Sequence, residues 1–193
     1  TTDCVFSCEI DDWACKTYRK NFPNDTHDPK CDITAVDAKA IPDFDVLLAG
    51  FPCQAFSIAG KRGGFEDTRG TLFFDVARII KEKQPKVFLL ENVKGLTNHR
   101  SGKTLQVILN TLREDLGYTV FYKVLNAKDL GIPQNRERAF LPGIYDPENI
   151  DKPLDFKFDK LLSKSDCSID SIIDHSFDND ESLKISEYQE RVL

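Results

Sequence analysis

The feature that most constrains this chain is the alternation of short apolar runs, each about as long as a β-strand, with stretches of helical periodicity. A run at residues 3–8 precedes a helical pattern that Asp11 or Asp12 can cap. A second run covers residues 46–49 and precedes a helical stripe, and a third run covers residues 87–90. Strands that alternate with helices predict an α/β fold with a mostly parallel sheet and helices on both faces.

The same alternation continues in the second half of the chain. The clearest helical stripe covers residues 105–116, and Gly117 stands where a helix terminator is favoured. Residues 120–124 alternate as in a strand, and residues 139–145 predict another strand. Pro142 cannot donate a ladder hydrogen bond, so it favours an edge position or a bulge that shortens or distorts this last strand.

Charge divides the chain into two parts. Residues 151–193 hold 11 of the 32 acidic residues but only 6 of the 26 basic ones, so the formal net charge of -6 belongs mainly to the tail. A near-neutral body can carry a local basic loop without being basic overall. We therefore expect one core domain at residues 1–146, followed by an acidic connecting segment at residues 147–193.

Cysteine and histidine lack a metal-binding spacing. The cysteines include no CxxC pair, and the histidines stand far apart in sequence. Neither a metal site nor a disulfide framework is therefore expected, and most thiols are interpreted as small buried hydrophobic groups. The chain shows no signal-peptide pattern and no apolar run beyond strand length, which predicts a soluble cytoplasmic protein. The residues concerned are Cys4, Cys8, Cys15, Cys31, Cys53, Cys167, His27, His99 and His175.

Three polar groups stand where predicted strands end, namely Glu9, Cys53 and Glu91. In parallel α/β sheets the carboxyl ends of the strands form one rim, where ligands bind. A lone cysteine after a strand is usually a packed thiol, and a carboxylate there can simply cap a loop. The basic, glycine-rich stretch at residues 57–64 changes this balance, because it can meet an anionic ligand beside the thiol. A nucleophile and an acid on neighbouring strand ends suggest covalent catalysis.

Four longer motifs carry a resemblance to a known family. They are GFPCQAFS at residues 50–57, GFEDTRGTLFFD at 64–75, ENV at 91–93 and GIPQNRER at 131–138. In this order they resemble the motifs of the C5-cytosine-specific DNA methyltransferases, of the bacterial restriction-modification type. The resemblance implies a Rossmann-like fold that uses S-adenosylmethionine. The PCQ context favours DNA over tRNA, because the related tRNA-methylating branch usually has other residues after Pro-Cys.

The resemblance implies a way to activate carbon 5 of cytosine, which is itself a poor nucleophile. Cys53 would attack carbon 6 as a thiolate while Glu91 donates a proton to ring nitrogen 3, so that carbon 5 can accept a methyl group. Arg138 would hold the base and orient the pocket, with Arg136 nearby. Ordinary surface ion pairing is the alternative for both arginines. Because a duplex hides the target ring, the base would be flipped out of the stack.

The methyl donor implied by the resemblance is S-adenosylmethionine. Glu9 would accept hydrogen bonds from its ribose hydroxyls, and Ile10 would pack on its adenine. Asp32 and Ile33 resemble the pair that reads the amino group and the ring of adenine. Each of these residues, taken singly, also has a packing explanation. The remaining residues that would line the cofactor cleft are Gly50, Pro52 and Leu72.

Double-stranded DNA is the implied partner. The loop at residues 57–69 resembles the segment that closes over a flipped base, and its basic side chains would contact phosphates or a groove. Basic side chains on a loop are otherwise a solvated surface. The residues that would contact DNA are Gln54, Ser57, Lys61, Arg62 and Arg69.

The family pattern also extends beyond this sequence. Its first strand and glycine-rich loop would precede Thr1, and its target-recognition domain and returning C-terminal segment would follow Leu193. We therefore expect an excerpt of a competent enzyme, or a subunit completed by a partner chain. The alternative is a truncated, non-catalytic fragment that binds DNA or a partner methyltransferase through exposed sheet edges.

Overall fold

The computed structural model describes residues 2–52, 72–145 and 156–161 of the 193-residue chain. This part of the chain forms a five-stranded sheet, three α-helices and several short 3-10 turns. The helices are α1 (Asp12–Asn21), α2 (Leu72–Lys83) and α3 (Lys103–Asn110). The strands are β1 (Val46–Gly50), β2 (Val87–Val93), β3 (Tyr118–Val120), β4 (Lys123–Asn126) and β5 (Glu137–Tyr145).

Helix α1 begins where the sequence predicts. Asp11 is its N-cap, and Oδ1 of Asp11 accepts a hydrogen bond from the backbone N–H of Ala14 at 2.7 Å, which satisfies a donor that the first turn leaves unpaired. The strand predicted at residues 3–8 is wrong. These residues have no paired strand beside them in the described chain, and only an isolated parallel bridge joins Glu9 to Lys30.

The sheet has the order β1-β2-β5-β3, and β4 also pairs with β5. Strands β1 and β2 are parallel, whereas β5 is antiparallel to both β2 and β3. The α/β class is confirmed, but the described sheet is mixed rather than mostly parallel. Residues 127–136, which join β4 to β5, contain a short 3-10 turn at Ala127–Leu130 and no α-helix.

The two faces of this sheet differ in burial. The packed face carries Phe88 and Leu90 of β2, which are both 0% exposed and share one core with α2 and α3. The open face carries the alternate residues, and on β1 these include Val46 and Leu48, which are 53% and 72% exposed. Helices therefore cover the packed face in the described chain, and cover for the second face remains a prediction.

Close packing fixes β5 against β2. Gly143 of β5 stands opposite Phe88, and a Cβ at position 143 would lie only 2.0 Å from Cζ of the Phe88 ring. The ring fills the space that a side chain would need. Leu141, also on the packed face, is 0% exposed and stands opposite Leu90.

Helices α2 and α3 confirm the predicted apolar stripes. Helix α2 buries a stripe that includes Phe73 and Ile80. Helix α3 is shorter than predicted, because the chain passes into a wider π-helical turn at Thr111–Asp115. Gly117 then ends the segment with φ +74°, the left-handed conformation that favours glycine.

The last predicted strands require two corrections. Residues 120–124 do not form one strand, because β3 ends at Val120 and β4 begins at Lys123. Pro142 neither shortens β5 nor lies at a sheet edge. Its carbonyl oxygen accepts from the backbone N–H of Phe121 at 3.0 Å, just past the end of β3. The proline nitrogen faces the same side, so its missing N–H removes no ladder bond to β2.

A disulfide joins Cys8 to Cys31, with their Cα atoms 5.2 Å apart. The sequence predicts free thiols here, and that prediction is wrong. The segments are brought together by backbone hydrogen bonds of Glu9, which donates to Pro29 at 2.8 Å and accepts from Cys31 at 3.1 Å. A pairing between residues 23 positions apart cannot be predicted from sequence spacing alone.

No helix in the described chain is long and apolar enough to span a membrane.

The chain divides into two compact units. The first contains Thr1–Leu125 and Glu137–Phe158, and the second contains Asn126–Arg136 and Asp159–Leu193. In the second unit, the side chain of Asn126 donates to Oδ1 of Asn135 at 2.7 Å and accepts from the backbone N–H of Arg136 at 3.0 Å. The boundary expected between residues 146 and 147 remains a prediction.

Candidate active site

Glu91 and Arg138 meet on the open face of the sheet. Nε of Arg138 lies 2.9 Å from Oε1 of Glu91, and the two side chains are 22% and 35% exposed. Glu91 lies within β2 rather than after its end, and Arg138 stands near the start of β5, opposite Val93. Because β5 runs antiparallel to β2, the start of one strand meets the carboxyl end of the other. The sequence-predicted acid and arginine are therefore brought together.

Gly50 lies beside this pair. It is opposite Glu91 in the parallel β1–β2 register, and a Cβ at position 50 would lie 3.5 Å from Oε2 of Glu91. That is an ordinary contact distance, and Gly50 is not among the described glycines with positive φ. Folding therefore does not require a glycine here. Its absent side chain leaves room above the Oε2 atom, while Oε1 is held by Arg138.

Asn92 is a residue that the sequence reasoning left without a role. It is 2% exposed, on the packed face, and its side-chain amide donates to the carbonyl oxygen of Phe51 at 2.7 Å. Its Oδ1 also accepts from the backbone N–H of Val93 at 2.9 Å. The sequence signal that could have identified Asn92 is a polar amide next to Glu91 in an otherwise apolar strand. Asn92 thereby fixes the chain just after β1, where Pro52 leads into Cys53.

A second ion pair stands at the same end of the sheet. Nζ of Lys94 lies 2.9 Å from both carboxylate oxygens of Glu137. Nη1 of Arg138 donates to the backbone carbonyl of Glu137 at 2.8 Å, which adds a second anchor for the guanidinium. Two carboxylates, Glu91 and Glu137, are thus each paired with a cation, but only Glu91 lies beside Gly50.

The predicted cofactor residues Glu9 and Asp32 lie on two adjacent segments that the Cys8–Cys31 disulfide joins. Both carboxylates are exposed. Oε1 of Glu9 accepts from the backbone N–H of Asp11 at 2.8 Å. Oδ1 of Asp32 accepts from the hydroxyl of Thr34 at 2.7 Å and from its backbone N–H at 2.9 Å, and these bonds hold the pKa of Asp32 below its usual value.

The apolar members of the predicted cofactor set fall into two groups. Ile10 is 63% exposed, so its side chain is available for packing on a ring. Ile33 packs against the small cluster of Ala38, Ile41 and Ile79, and its carbonyl oxygen accepts from Nη2 of Arg78 at 2.5 Å. Leu72 begins α2 and packs against the main core, whereas Pro52 is exposed.

Several predicted site residues belong to the second unit or lie outside the described residues. Arg136 belongs to the second unit, where its backbone is bound by Asn126 and its side chain is exposed. The nucleophile candidate and the DNA-contacting residues lie outside the described residues. They are Cys53, Gln54, Ser57, Lys61, Arg62 and Arg69.

Comparisons with known proteins identify the family of the chain. The family model "C-5 cytosine-specific DNA methylase" matches residues 1–191. The chain is 58% identical over 165 residues to the type II methyltransferase M.HpaII of Haemophilus parainfluenzae, a match that covers 79% of this chain and 45% of that relative. It is 56% identical over 139 residues to the type II methyltransferase M.HhaI of Haemophilus parahaemolyticus, covering 72% and 41%. The chain thus spans less than half the length of these relatives.

Solved structures show the same fold. DNMT2 of Spodoptera frugiperda matches with a TM-score of 0.61 at 23% identity, covering 81% of this chain and 46% of that one. The Dnmt2 methyltransferase of S. pombe matches with a TM-score of 0.56 at 22% identity, covering 74% and 43%. These likenesses confirm the Rossmann-like fold, and the family match confirms the resemblance carried by the motifs. The chain belongs to the C-5 cytosine-specific DNA methylase family.

Proposed function

We propose that this chain forms the catalytic part of a bacterial restriction-modification enzyme that methylates carbon 5 of cytosine in double-stranded DNA. The observation that carries the proposal is the Glu91–Arg138 pair on the open face, with Oε1 of Glu91 held at 2.9 Å and room left at Gly50 above Oε2. A carboxyl group that is anchored through one oxygen presents the other to a ligand in a fixed direction.

Glu91 suits the part of the reaction that involves ring nitrogen 3. A cytosine that approaches the open face beside Gly50 would meet Oε2 of Glu91, which must carry a proton in order to donate it to nitrogen 3. Arg138 would keep the carboxyl group in place through Oε1 and through its own bond to the Glu137 carbonyl. Protonation of nitrogen 3 withdraws electrons from carbon 6 and prepares it for attack.

Cys53 would supply the nucleophile. Its thiolate forms a bond to carbon 6, the electron pair moves to carbon 5, and carbon 5 then takes the methyl group. Loss of the carbon 5 proton to a base and breaking of the carbon 6–sulfur bond would restore the ring and the thiolate. Asn92, which holds the Phe51 carbonyl, supports this proposal because it fixes the chain two residues before Cys53.

S-adenosylmethionine would supply a methyl group bound to a positively charged sulfur, which is an electrophile that carbon 5 can attack. The chemistry of the exposed donors fits its adenosine part. Glu9 and Asp32 offer carboxylate oxygens to hydroxyl and amino groups, and the exposed Ile10 offers an apolar surface to a ring. Leu72, Pro52 and Ile33 would complete the cleft.

The rest of the proposal concerns DNA. Cytosine in a duplex must leave the base stack before Cys53 and Glu91 can reach both sides of its ring. Gln54, Ser57, Lys61, Arg62 and Arg69 would contact DNA, and Arg136 would assist Arg138 at the base. Because double-stranded DNA would be its substrate, we place the protein in the bacterial cytoplasm, associated with the nucleoid when it is bound to DNA. Recognition of the DNA sequence would need residues beyond the motifs named above, on the same polypeptide or on a complementing subunit.

The test measures transfer of labelled methyl from S-adenosylmethionine to mixed-sequence duplex DNA. It is run on the 193-residue chain and on a longer polypeptide that carries this sequence between the family's N- and C-terminal segments. Replacement Cys53→Ala should abolish transfer, and Glu91→Gln should slow it by roughly 10²–10⁴-fold. Glu137→Gln is the matched control, because Glu137 is also ion-paired at this end of the sheet, and it should retain about the wild-type rate.

A second measurement isolates the covalent step. In a duplex that contains 5-fluorocytosine, carbon 5 carries a fluorine that cannot leave as a proton, so the adduct with Cys53 should accumulate and survive denaturation. An unchanged rate in Glu91→Gln would exclude the acid role, and an adduct in Cys53→Ala would exclude the nucleophile. If neither polypeptide transfers methyl groups, a non-catalytic fragment that binds DNA or a partner methyltransferase becomes the better explanation.

A further inference from the structure

A cluster of metal-ligating side chains lies far from Glu91 in the chain, near the start of the described residues. Sγ of Cys4, a carboxylate oxygen of Asp25 and a ring nitrogen of His27 all lie within 4.8 Å of one another. The distance from Sγ of Cys4 to Nε2 of His27 is 3.9 Å. Cys4 is exposed, and the other two side chains are half-buried. None of these residues takes part in the proposed methyl transfer.

We propose that Cys4, Asp25 and His27 bind one Zn²⁺ ion. Zinc prefers sulfur, imidazole nitrogen and carboxylate oxygen, which are the three donors present here. Zinc bonds of about 2.0 to 2.3 Å in a tetrahedron place a sulfur and a nitrogen ligand about 3.6 Å apart, close to the 3.9 Å between Cys4 and His27. A small movement of the exposed Cys4 side chain would bring its sulfur to that distance from His27.

The hydroxyl group of Tyr18 already contacts two of these donors. The hydroxyl of Tyr18 donates to Oδ2 of Asp25 and lies 3.6 Å from Sγ of Cys4. The Tyr18 hydroxyl therefore contacts two of the three donors and positions them relative to each other. Partners of this kind around a metal fix the orientation of its ligands.

Ser7 offers the fourth position. Its Oγ lies 2.7 Å from Nε2 of His27, which is the same ring nitrogen that lies 3.9 Å from Sγ of Cys4. On binding, zinc would replace this hydrogen bond, and either the Ser7 hydroxyl or a water molecule would occupy the remaining coordination position. The thiol of Cys4 would give up its proton to solvent as the metal–sulfur bond forms. An open cleft lined by Tyr18, Asp25 and His27 gives the ion access from solvent.

The consequence of binding would be structural. Cys4 and Ser7 lie on the first described segment, whereas Asp25 and His27 lie on the segment that leads to Cys31 and Asp32. A bound ion would join these segments at a point separate from the disulfide. Because it binds the folded state, zinc should stabilise this region by an amount that grows with the logarithm of its free concentration once that exceeds the Kd.

The test uses Co²⁺ as a spectroscopic substitute for zinc, because a cobalt–thiolate bond gives a charge-transfer absorption band. The 193-residue chain is titrated with its Cys8–Cys31 disulfide intact, because disulfide sulfurs offer no thiolate to the metal. One equivalent of Co²⁺ should produce the band, and one equivalent of Zn²⁺ should remove it. Cys4→Ser should abolish the band. Cys15→Ser is the matched control, because Cys15 is a free but buried cysteine, and it should retain the band.

The imidazole is tested separately. His27→Gln should weaken Co²⁺ binding at least about tenfold, whereas His99→Gln should have no effect, because His99 is engaged by Thr104 at 2.7 Å outside the cluster. Circular dichroism of each variant establishes that it is folded. Absence of a thiolate band in the parent chain, or its persistence in Cys4→Ser, would overturn the proposal. In that case the cluster is a hydrogen-bond network without a metal.

Discussion

The central sheet and the N-terminal region, residues 2–45, are built in different ways. The sheet shares one core with α2 and α3, and its largest side chains are fully buried, among them Phe73, Phe88 and Leu90. The N-terminal region meets α2 through a small cluster formed by Ala38, Ile41 and Ile79. It is otherwise held by capped turns, ion pairs and the Cys8–Cys31 disulfide. Apolar burial therefore dominates one region, and polar and covalent links dominate the other.

This difference matches the chemistry proposed for each region. Glu91 and Arg138 stand on strands whose opposite face is close-packed, which holds two charged groups at 2.9 Å. Glu9 and Asp32 stand on exposed segments where hydrogen bonds, not burial, set the direction of each carboxylate. Acid chemistry needs fixed geometry. Recognition of hydroxyl and amino groups needs accessible acceptors, which the N-terminal region provides.

The largest expected effect is tested by a matched pair of truncations in neighbouring strands, which measures how much apolar burial stabilises the sheet. Leu90→Ala removes a side chain with 0% exposure from the packed face and should lower the free energy of unfolding by about 2–5 kcal/mol. Leu48→Ala removes a leucine that is 72% exposed on the open face and should cost less than about 0.5 kcal/mol. Chemical denaturation followed by circular dichroism measures both. Equal losses would mean that the open face is covered.

A covalent link provides the next test. Cys31→Ser removes the disulfide between residues 23 positions apart and should destabilise the N-terminal region by about 3 kcal/mol. Trp13 is the only tryptophan of the chain and lies on α1, so its fluorescence reports this region. The fluorescence transition should move to lower denaturant by more than the circular dichroism transition. Identical shifts of the two would show that the regions unfold as one unit.

Acid should produce the smallest of the expected effects, which is a loss of stability in the N-terminal region. A side-chain hydrogen bond from Lys30 lowers the pKa of Asp12, the backbone N–H of Lys30 lowers that of Asp28, and the Thr34 hydroxyl lowers that of Asp32. A lowered pKa means that the stabilising bond is present above the unfolded value of about 3.9 and is lost as the pH falls below it.

The measurement is a pair of acid titrations from pH 6 to about pH 2, chosen to cover that window. Fluorescence of Trp13 should change before the circular dichroism of the sheet changes. Asp32→Asn removes one of the titrating groups and should weaken the early fluorescence change. A simultaneous change of both signals would contradict the separation of the two regions.

Local pattern predicted the elements that burial controls. The stripes of α2 and α3, the strands β1 and β2 and the Asp11 cap follow from short stretches of sequence, and the motif resemblance assigned Glu91 and Arg138 to the same target base. The antiparallel direction of β5, the Cys8–Cys31 disulfide and the bond from Asn92 to Phe51 each depend on residues distant in sequence. Spacing within one segment carries no information about such partners, so the sequence could not predict them.

The contact between Gly143 and Phe88 fixes the register of β5 against β2. If β5 slipped by two residues, Leu141 or Tyr145 would face the Phe88 ring, where even a methyl group would lie 2.0 Å from Cζ. A slip by one residue would exchange the two faces and carry Arg138 away from Glu91. A position without a side chain therefore sets the alignment of Arg138, five residues away on the same strand, with Glu91 on β2. Redesign of this protein could vary much of the surface, but it should keep that empty position.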